Sequence, residues 1–311
     1  ENFVRLAKRL AQPGPPERSA AMLAESSMRM LSENTASANG SIAAMLVFTS
    51  ICYALFFCLL GAHYLRRGPS PAVSGFAGIA ERQEKVTVST LDEAWKKQFV
   101  RKVYAILGMQ LFVTVCISSA MMLLGGDALV AWVFGPGSWI TFATFFASLA
   151  NLMTLMCFQQ RYPHNLILLF SFTVLESMLV GFVCASYAAV GLGAIVIEAF
   201  AITSVIFIGL TLFTMQSKIN FDFLRPMLFV SLLVLIVWGM FANFFFTSFV
   251  FNQVYALAGV IIFSLYVVYD THEVMNNLSY DEYIAGAINL YLDFINLFLF
   301  LLRLLTGGQR S

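Results

Sequence analysis

Apolar residues in this chain gather into long uninterrupted runs. Eight of them, roughly 42–64, 103–124, 137–158, 165–187, 192–214, 227–247, 252–272 and 284–304, qualify or nearly qualify as membrane spans, since a helix needs about 20 predominantly apolar residues to cross the hydrocarbon. The last run is interrupted by Asn289, Asp293 and Asn296. Between the first and second runs lies the only long connection, 65–102. It opens RRGPSPAVSG, a Pro/Gly/Ser linker. It then becomes STLDEAWKKQFVRKVY, with Ser89 and Thr90 available as caps ahead of Asp92 and Glu93, which predicts an interfacial helix leading into the second run. The stretches GGDALVAWVFGPG, ASYAAVGLG and FFFTSFVFNQ read as loops.

Basic residues orient these spans. The 65–102 connection carries Arg66, Arg67, Arg82, Lys85, Lys96, Lys97, Arg101 and Lys102, and alternate later loops carry Arg161, then Lys218 and Arg225. The intervening loops hold no Lys or Arg. By the positive-inside rule the 65–102 side faces the cytosol, or the matrix in a mitochondrial membrane. Composition agrees with a multi-pass membrane protein: 59% of residues are hydrophobic and 11% charged, against about a quarter charged in a soluble domain. A net charge of +1 and the lack of any basic run interleaved with aromatics exclude a nucleic-acid partner. Cys52, Cys58, Cys116, Cys157 and Cys184 all lie in apolar runs without a CxxC pair, so they read as small buried residues. The first 40 residues, with Arg5, Lys8, Arg9, Arg18 and Arg29 among many Ala, Ser and Met, are compatible with the remainder of an organellar precursor, a pattern that Glu1, Glu17, Glu25 and Glu33 dilute.

Four carboxylates fall inside spans: Glu176, Glu198, Asp270 and Asp293. A charge in the bilayer costs a few kcal/mol, so such groups face a cavity or a partner, and function is the default reading. The bland alternative is a helix–helix hydrogen bond made by a protonated acid. Spacing singles out one pair. The midpoint between positions 270 and 293 falls at Asp281–Glu282, inside the polar connection NNLSYDEY. A hairpin turning there sets Asp270 and Asp293 at similar depth. On the last helix Asn289, Asp293, Asn296 and Arg303 share one face, and Tyr266, Asp270 and Glu273 share one on the helix before it. Like charges a few ångströms apart cannot both ionise cheaply, and burial adds to the cost. Such a pair holds a proton near neutral pH and, once deprotonated, offers hard oxygen ligands suited to Ca²⁺.

The strings FSLYVVYDT and DEYIAGAINLYLDFINLFLFLLRLL resemble the closing signature of the transmembrane Bax-inhibitor-motif family, and more closely its Lifeguard branch. FVRKVYAILGMQLFVT, RYPHNLILLFSFTVLESMLVG and GLTLFTMQSKINFDFLRPMLF resemble it in order. The resemblance covers roughly 95–308. It implies an all-α polytopic protein with a seven-helix core whose last helix is central. It also implies passive calcium leak across an internal membrane, restraint of cell death and a pH-sensing aspartate pair, here Asp270 and Asp293. In bacterial relatives an arginine of the second core helix latches the first aspartate. No basic residue lies in 137–158, so Arg161 or Arg303 would have to substitute.

The expected organisation is therefore a tail at 1–41, an additional transmembrane helix at 42–64, a linker at 65–94, the core at 95–308 and a short tail at 309–311. The expected function is a pH-sensitive calcium leak with Ca²⁺ as permeant ion and no bound cofactor. Asp270 and Asp293 serve as proton sensors and Ca²⁺ ligands, supported by Glu176, Glu198, Tyr266, Glu273, Asn289, Asn296 and Arg303. Membrane lipids, and membrane proteins docked through 42–64 and the N-terminal tail, are the expected partners. The endoplasmic reticulum, the Golgi and the mitochondrial inner membrane are the compartments in play. The rivals are a non-transporting accessory subunit of a larger assembly and an H⁺/cation exchanger. Enzymatic readings fail on motif: Asp293 lacks the glycines of an intramembrane aspartyl protease, and His272-Glu273 has Asn276 where a zinc motif needs histidine.

Overall fold

The computed structural model describes residues 93–133, 135–159, 161–245 and 249–308. Among these residues every long element is a helix. Helix α1, Glu93–Ala120, runs through a π-helical turn at Met121–Gly125 into the short α2, Gly126–Val133. There follow α3 (Ser138–Phe158), α4 (His164–Ala189), α5 (Gly193–Gln216), α6 (Leu224–Phe245), α7 (Phe249–Asn276) and α8 (Tyr283–Gly308). Six are long and apolar enough to cross a membrane, and α6 carries a shorter apolar stretch, Leu224–Gly239. The protein is thus an all-α, multi-pass membrane protein. The expected 42–64 helix, the 1–41 tail, the linker as far as residue 92 with Ser89 and Thr90, and the 309–311 tail lie outside the described residues.

Two local expectations are corrected. The charged segment before the second apolar run is the opening of α1 itself, which continues unbroken into the span. The cause is a buried stripe: Phe99, Val103 and Leu107 recur every four residues and are 1%, 0% and 2% exposed. The segment GGDALVAWVFGPG is also not all loop. The wide π-helical turn accommodates Gly125, and α2 proceeds to the buried Val133. Of the described cysteines only Cys184 is buried; Cys116 and Cys157 are exposed, and all three are free thiols. A thiol on the outer face of a membrane bundle meets lipid and needs no core position.

α8 occupies the centre. It supplies Tyr291, Phe294 and Phe298 to one apolar cluster and Leu297, Phe300 and Leu301 to a second. Of its apolar window 89% is buried, against 22% for α1. A helix enclosed by protein on all sides can carry Asn and Asp because its neighbours, not lipid, are its solvent. The outward surface has the opposite character: Phe112, Phe170, Ile197, Val205 and Val230 are more than half exposed, as suits contact with acyl chains rather than water.

α7 and α8 form an antiparallel hairpin and make the most extensive helix pair. Its turn is a short 3₁₀ segment, Tyr280–Glu282, where the Glu282 carboxylate accepts the Ser279 backbone N–H at 3.0 Å. At the far end of the hairpin Arg303 donates to Asn252 Oδ1 at 2.7 Å. Gly191, at φ +83°, makes the tight α4–α5 turn in a conformation that glycine adopts without steric cost. Lys102 lies 3.3 Å from the Tyr283 ring centroid, and Asn277 donates to Asp222 at 2.8 Å. These contacts gather the first turns of α1, the α7–α8 turn and the α5–α6 connection at one end of the bundle.

Candidate dicarboxylate site

The hairpin brings Asp270 of α7 and Asp293 of α8 against each other. They are 5% and 0% exposed. Each carboxyl lies in the other's electrostatic reach, side chain to side chain. They do not form a hydrogen bond of standard geometry, and both Asp293 oxygens are buried without a partner. One proton between the two carboxyls would give each a partner, whereas two full charges in this enclosure would repel without water to separate them. Among the described residues no three His, Cys, Asp or Glu side chains cluster as metal ligands. Two carboxylates alone fall short of the 6–8 oxygens of a resident Ca²⁺ site.

The other expected site residues disperse around this pair. Glu273, one turn beyond Asp270, turns to α6 instead: it accepts from the Arg225 guanidinium and from Tyr269 Oη, the latter at 2.6 Å. Arg225 also donates to Tyr269. Tyr266 is buried in the cluster shared with α6, 5.8 Å from the Phe263 ring. On α8, Asn289 is half-buried, and Asn296 donates to the Leu292 carbonyl of its own helix at 2.8 Å. Arg303 faces α7 at the opposite end, with its guanidinium 4.9 Å from the Tyr255 ring centroid. Arg161 stacks over Phe158. Neither therefore latches Asp270. The arginine whose charge reaches Asp270 is Arg225, which enters from the start of α6 because the α5–α6 connection folds under the hairpin turn.

Glu176 and Glu198 part company. Glu176, 1% exposed, accepts from the Ser148 hydroxyl of α3. It sits beside a second buried network in which Thr114 Oγ1 lies 2.9 Å from both Ser177 Oγ and Tyr291 Oη. Glu198 is exposed on α5 and is not brought to the pair.

Several polar groups here escape the run-by-run reading. Gln110 with Thr114 and Thr173 with Ser177 repeat at a spacing of four, and they meet across α1 and α4: Gln110 donates to Thr173 at 3.2 Å. That spacing is visible in the sequence as two polar stripes. At the end of the bundle Asp222, His272 and Asn277 cluster, with His272 Nδ1 3.8 Å from Asp222 Oδ1. Partial burial pushes the Asp222 carboxyl up, but hydrogen bonds from Asn277 and Asn220 and the nearby His272 and Arg225 charges outweigh it and hold the carboxyl below its usual range.

The family described as inhibitor of apoptosis-promoting Bax1 matches residues 96–311, and the chain belongs to that Bax-inhibitor family. It is 39% identical to Protein lifeguard 4 of Mus musculus over 214 residues, 68% of this chain and 86% of the relative. It is 36% identical to Bax inhibitor 1 of Schizosaccharomyces pombe over 245 residues, 78% of this chain and 86% of the relative. It is also 36% identical over 213 residues to the Golgi anti-apoptotic protein of vaccinia virus (strain Lister), 68% of this chain and 86% of that protein.

Proposed function

We propose that this protein restrains cell death by providing a pH-sensitive calcium leak across an internal membrane, with Asp270 and Asp293 as its gate. The supporting observation is the buried meeting of two carboxyls on the central hairpin, with both Asp293 oxygens lacking hydrogen-bond partners. A proton shared by the pair holds α7 and α8 together and keeps the path shut. Loss of that proton sets two like charges against each other, loosens the hairpin and exposes oxygen ligands that pass Ca²⁺ on. Ca²⁺ is cargo on this reading, and no catalytic step is assigned. The role in cell death rests on the family description and on relatives named as Bax inhibitor and as an anti-apoptotic protein. The internal membrane rests on the relative named for the Golgi.

The test is Ca²⁺ efflux from liposomes holding the purified full chain, measured from pH 5 to pH 9. Leak that rises with pH supports the reading. No leak at any pH gives the chain to the accessory-subunit reading. Saturable flux that moves protons in fixed ratio makes it an exchanger.

A further inference from the structure

We infer that a side cavity between α1, α4, α5 and α8 binds a neutral diacylglycerol-type lipid, holding one acyl chain and bonding its ester carbonyl to Ser118. This inference is independent of the leak. The cavity measures about 220 Å³ and is walled chiefly by Met122, Cys184, Val196, Phe200 and Phe298. A dry apolar cavity of about 150 Å³ already takes up benzene, so this one accommodates a run of methylenes. Its mouth lies between α1 and α5, which supply its exposed lining residues. The rim residues Val115, Ile197 and Phe200 are 38%, 69% and 36% exposed. At the outer face of a membrane-spanning bundle, the molecules at such a mouth are lipids.

Ser118 supplies the polar selector. It is 7% exposed, lines the cavity, and its hydroxyl has no hydrogen-bond partner. A helical Ser or Thr can satisfy itself on the carbonyl four residues back, as Thr114 does on Gln110 and Ser177 on Thr173. Ser118 does not, so its donor is left for a ligand acceptor.

Depth fixes the lipid class. The pairs Gln110–Thr173 and Thr114–Ser177 put Ser118 level with Gly181, eight residues, or about 12 Å, from the end of α4. The 26 residues of α4 extend about 39 Å against a hydrocarbon thickness of about 30 Å. Ser118 therefore lies about 7 Å below the hydrocarbon boundary of a centred bundle. A charged headgroup does not follow an ester carbonyl to that depth cheaply, whereas the hydroxyl headgroup of diacylglycerol does.

The experiment reconstitutes the full chain in phosphatidylcholine liposomes containing a trace of diacylglycerol with a diazirine midway along one acyl chain. Light-induced adducts are then mapped by peptide mass spectrometry. The expected result is labelling of 118–122 and 196–200 at least fivefold above the exposed Leu212 of α5, which reports surrounding lipid. Unlabelled diacylglycerol competes this label away; added phosphatidylcholine and cholesterol do not. Ser118→Ala lowers it about fivefold, the worth of one hydrogen bond, and Cys184→Phe, which fills the cavity, removes it. Labelling no denser than at Leu212, equal competition by phosphatidylcholine or cholesterol, or Ser118→Ala labelled like wild type would each overturn the inference. Ser118→Ala removes a single oxygen, so the test stands even where the filled variant does not fold.

Discussion

Asp270 on α7 and Asp293 on α8 face each other 23 positions apart in sequence, both sealed inside the bundle, with no arginine or lysine between them. The arginine whose charge reaches Asp270, Arg225, is committed to the adjacent Tyr269 and to Glu273 one turn on. A buried acid pair without an intervening cation is relieved most directly by a shared proton, so its geometry and its protonation are linked.

Replacing either acid by its amide keeps shape and polarity while removing the titration. Asp270→Asn and Asp293→Asn are therefore expected to fold and to flatten the pH response. Wild-type leak should change by up to about tenfold per pH unit at its steepest, as a single-proton step allows. The amide variants should vary by less than about twofold over the same range. Ca²⁺ efflux from liposomes measures this, and a variant that keeps the wild-type profile removes the pair from the gate.

Arg225 ties α6 to α7 through Glu273 and Tyr269. Arg225 is 51% exposed and Glu273 13%, so the pair is worth no more than about 1 kcal/mol after solvent screening. In a double-mutant cycle, Arg225→Gln and Glu273→Gln should each lower the thermal midpoint. Together they should cost less than the sum of the two, with a coupling of about 1 kcal/mol. Strict additivity in melts of the purified protein would show that the two side chains do not act together.

Much of this fold was legible in the sequence because lipid imposes a coarse rule: runs of about 20 apolar residues become helices whatever their detail. The α7–α8 hairpin was legible for a finer reason. Asp270 and Asp293 are equidistant from a polar turn, so antiparallel pairing fixes their meeting. Arg225 was not legible as the charge that reaches Asp270, because its placement depends on how the 217–223 connection folds beneath the hairpin. Glu198 shows the reverse failure. Its place inside an apolar run suggested an inward role, yet hydropathy along α5 is nearly uniform and does not say which side faces out. The helicity of α2 was hidden by two glycines that normally signal a loop: here Gly125 ends the π-helical turn and Gly126 opens α2.

Asp222 adds a pH dependence of its own at the bundle end. Burial works against its charge, but Asn277, Asn220 and the neighbouring positive groups together hold its carboxyl below the ordinary range. As pH falls, the unfolded chain takes up the proton first. The stabilisation is thus full above about pH 4 and lost as pH drops through the lower folded value. Asp222→Asn should lower the thermal midpoint near neutral pH, with the gap to wild type closing toward pH 3. A gap constant across that range would mean that the carboxylate charge contributes nothing there.

Close packing of the same hairpin yields a prediction of opposite sign at two glycines. At Gly259 of α7 an added methyl would run into the Phe300 ring of α8. That ring is held between Tyr255 and Phe263, at centroid distances of 5.5 and 5.6 Å, so it has little room to turn away. Gly259→Ala gains about 1 kcal/mol of helix propensity but forces overpacking that costs about 1–3 kcal/mol. The net effect should be a lower thermal midpoint. Gly209 of α5 has nothing within 4 Å of the same methyl, so Gly209→Ala keeps only the propensity gain and should leave the midpoint unchanged or higher. Gly259 also lies three turns before Asp270 on α7, so a hairpin pushed apart there should disturb the carboxyl pair and raise basal Ca²⁺ leak in Gly259→Ala but not in Gly209→Ala. Equal melts and equal leak in the two variants would mean that the Phe300 contact sets neither the spacing of α7 and α8 nor the meeting of the acids.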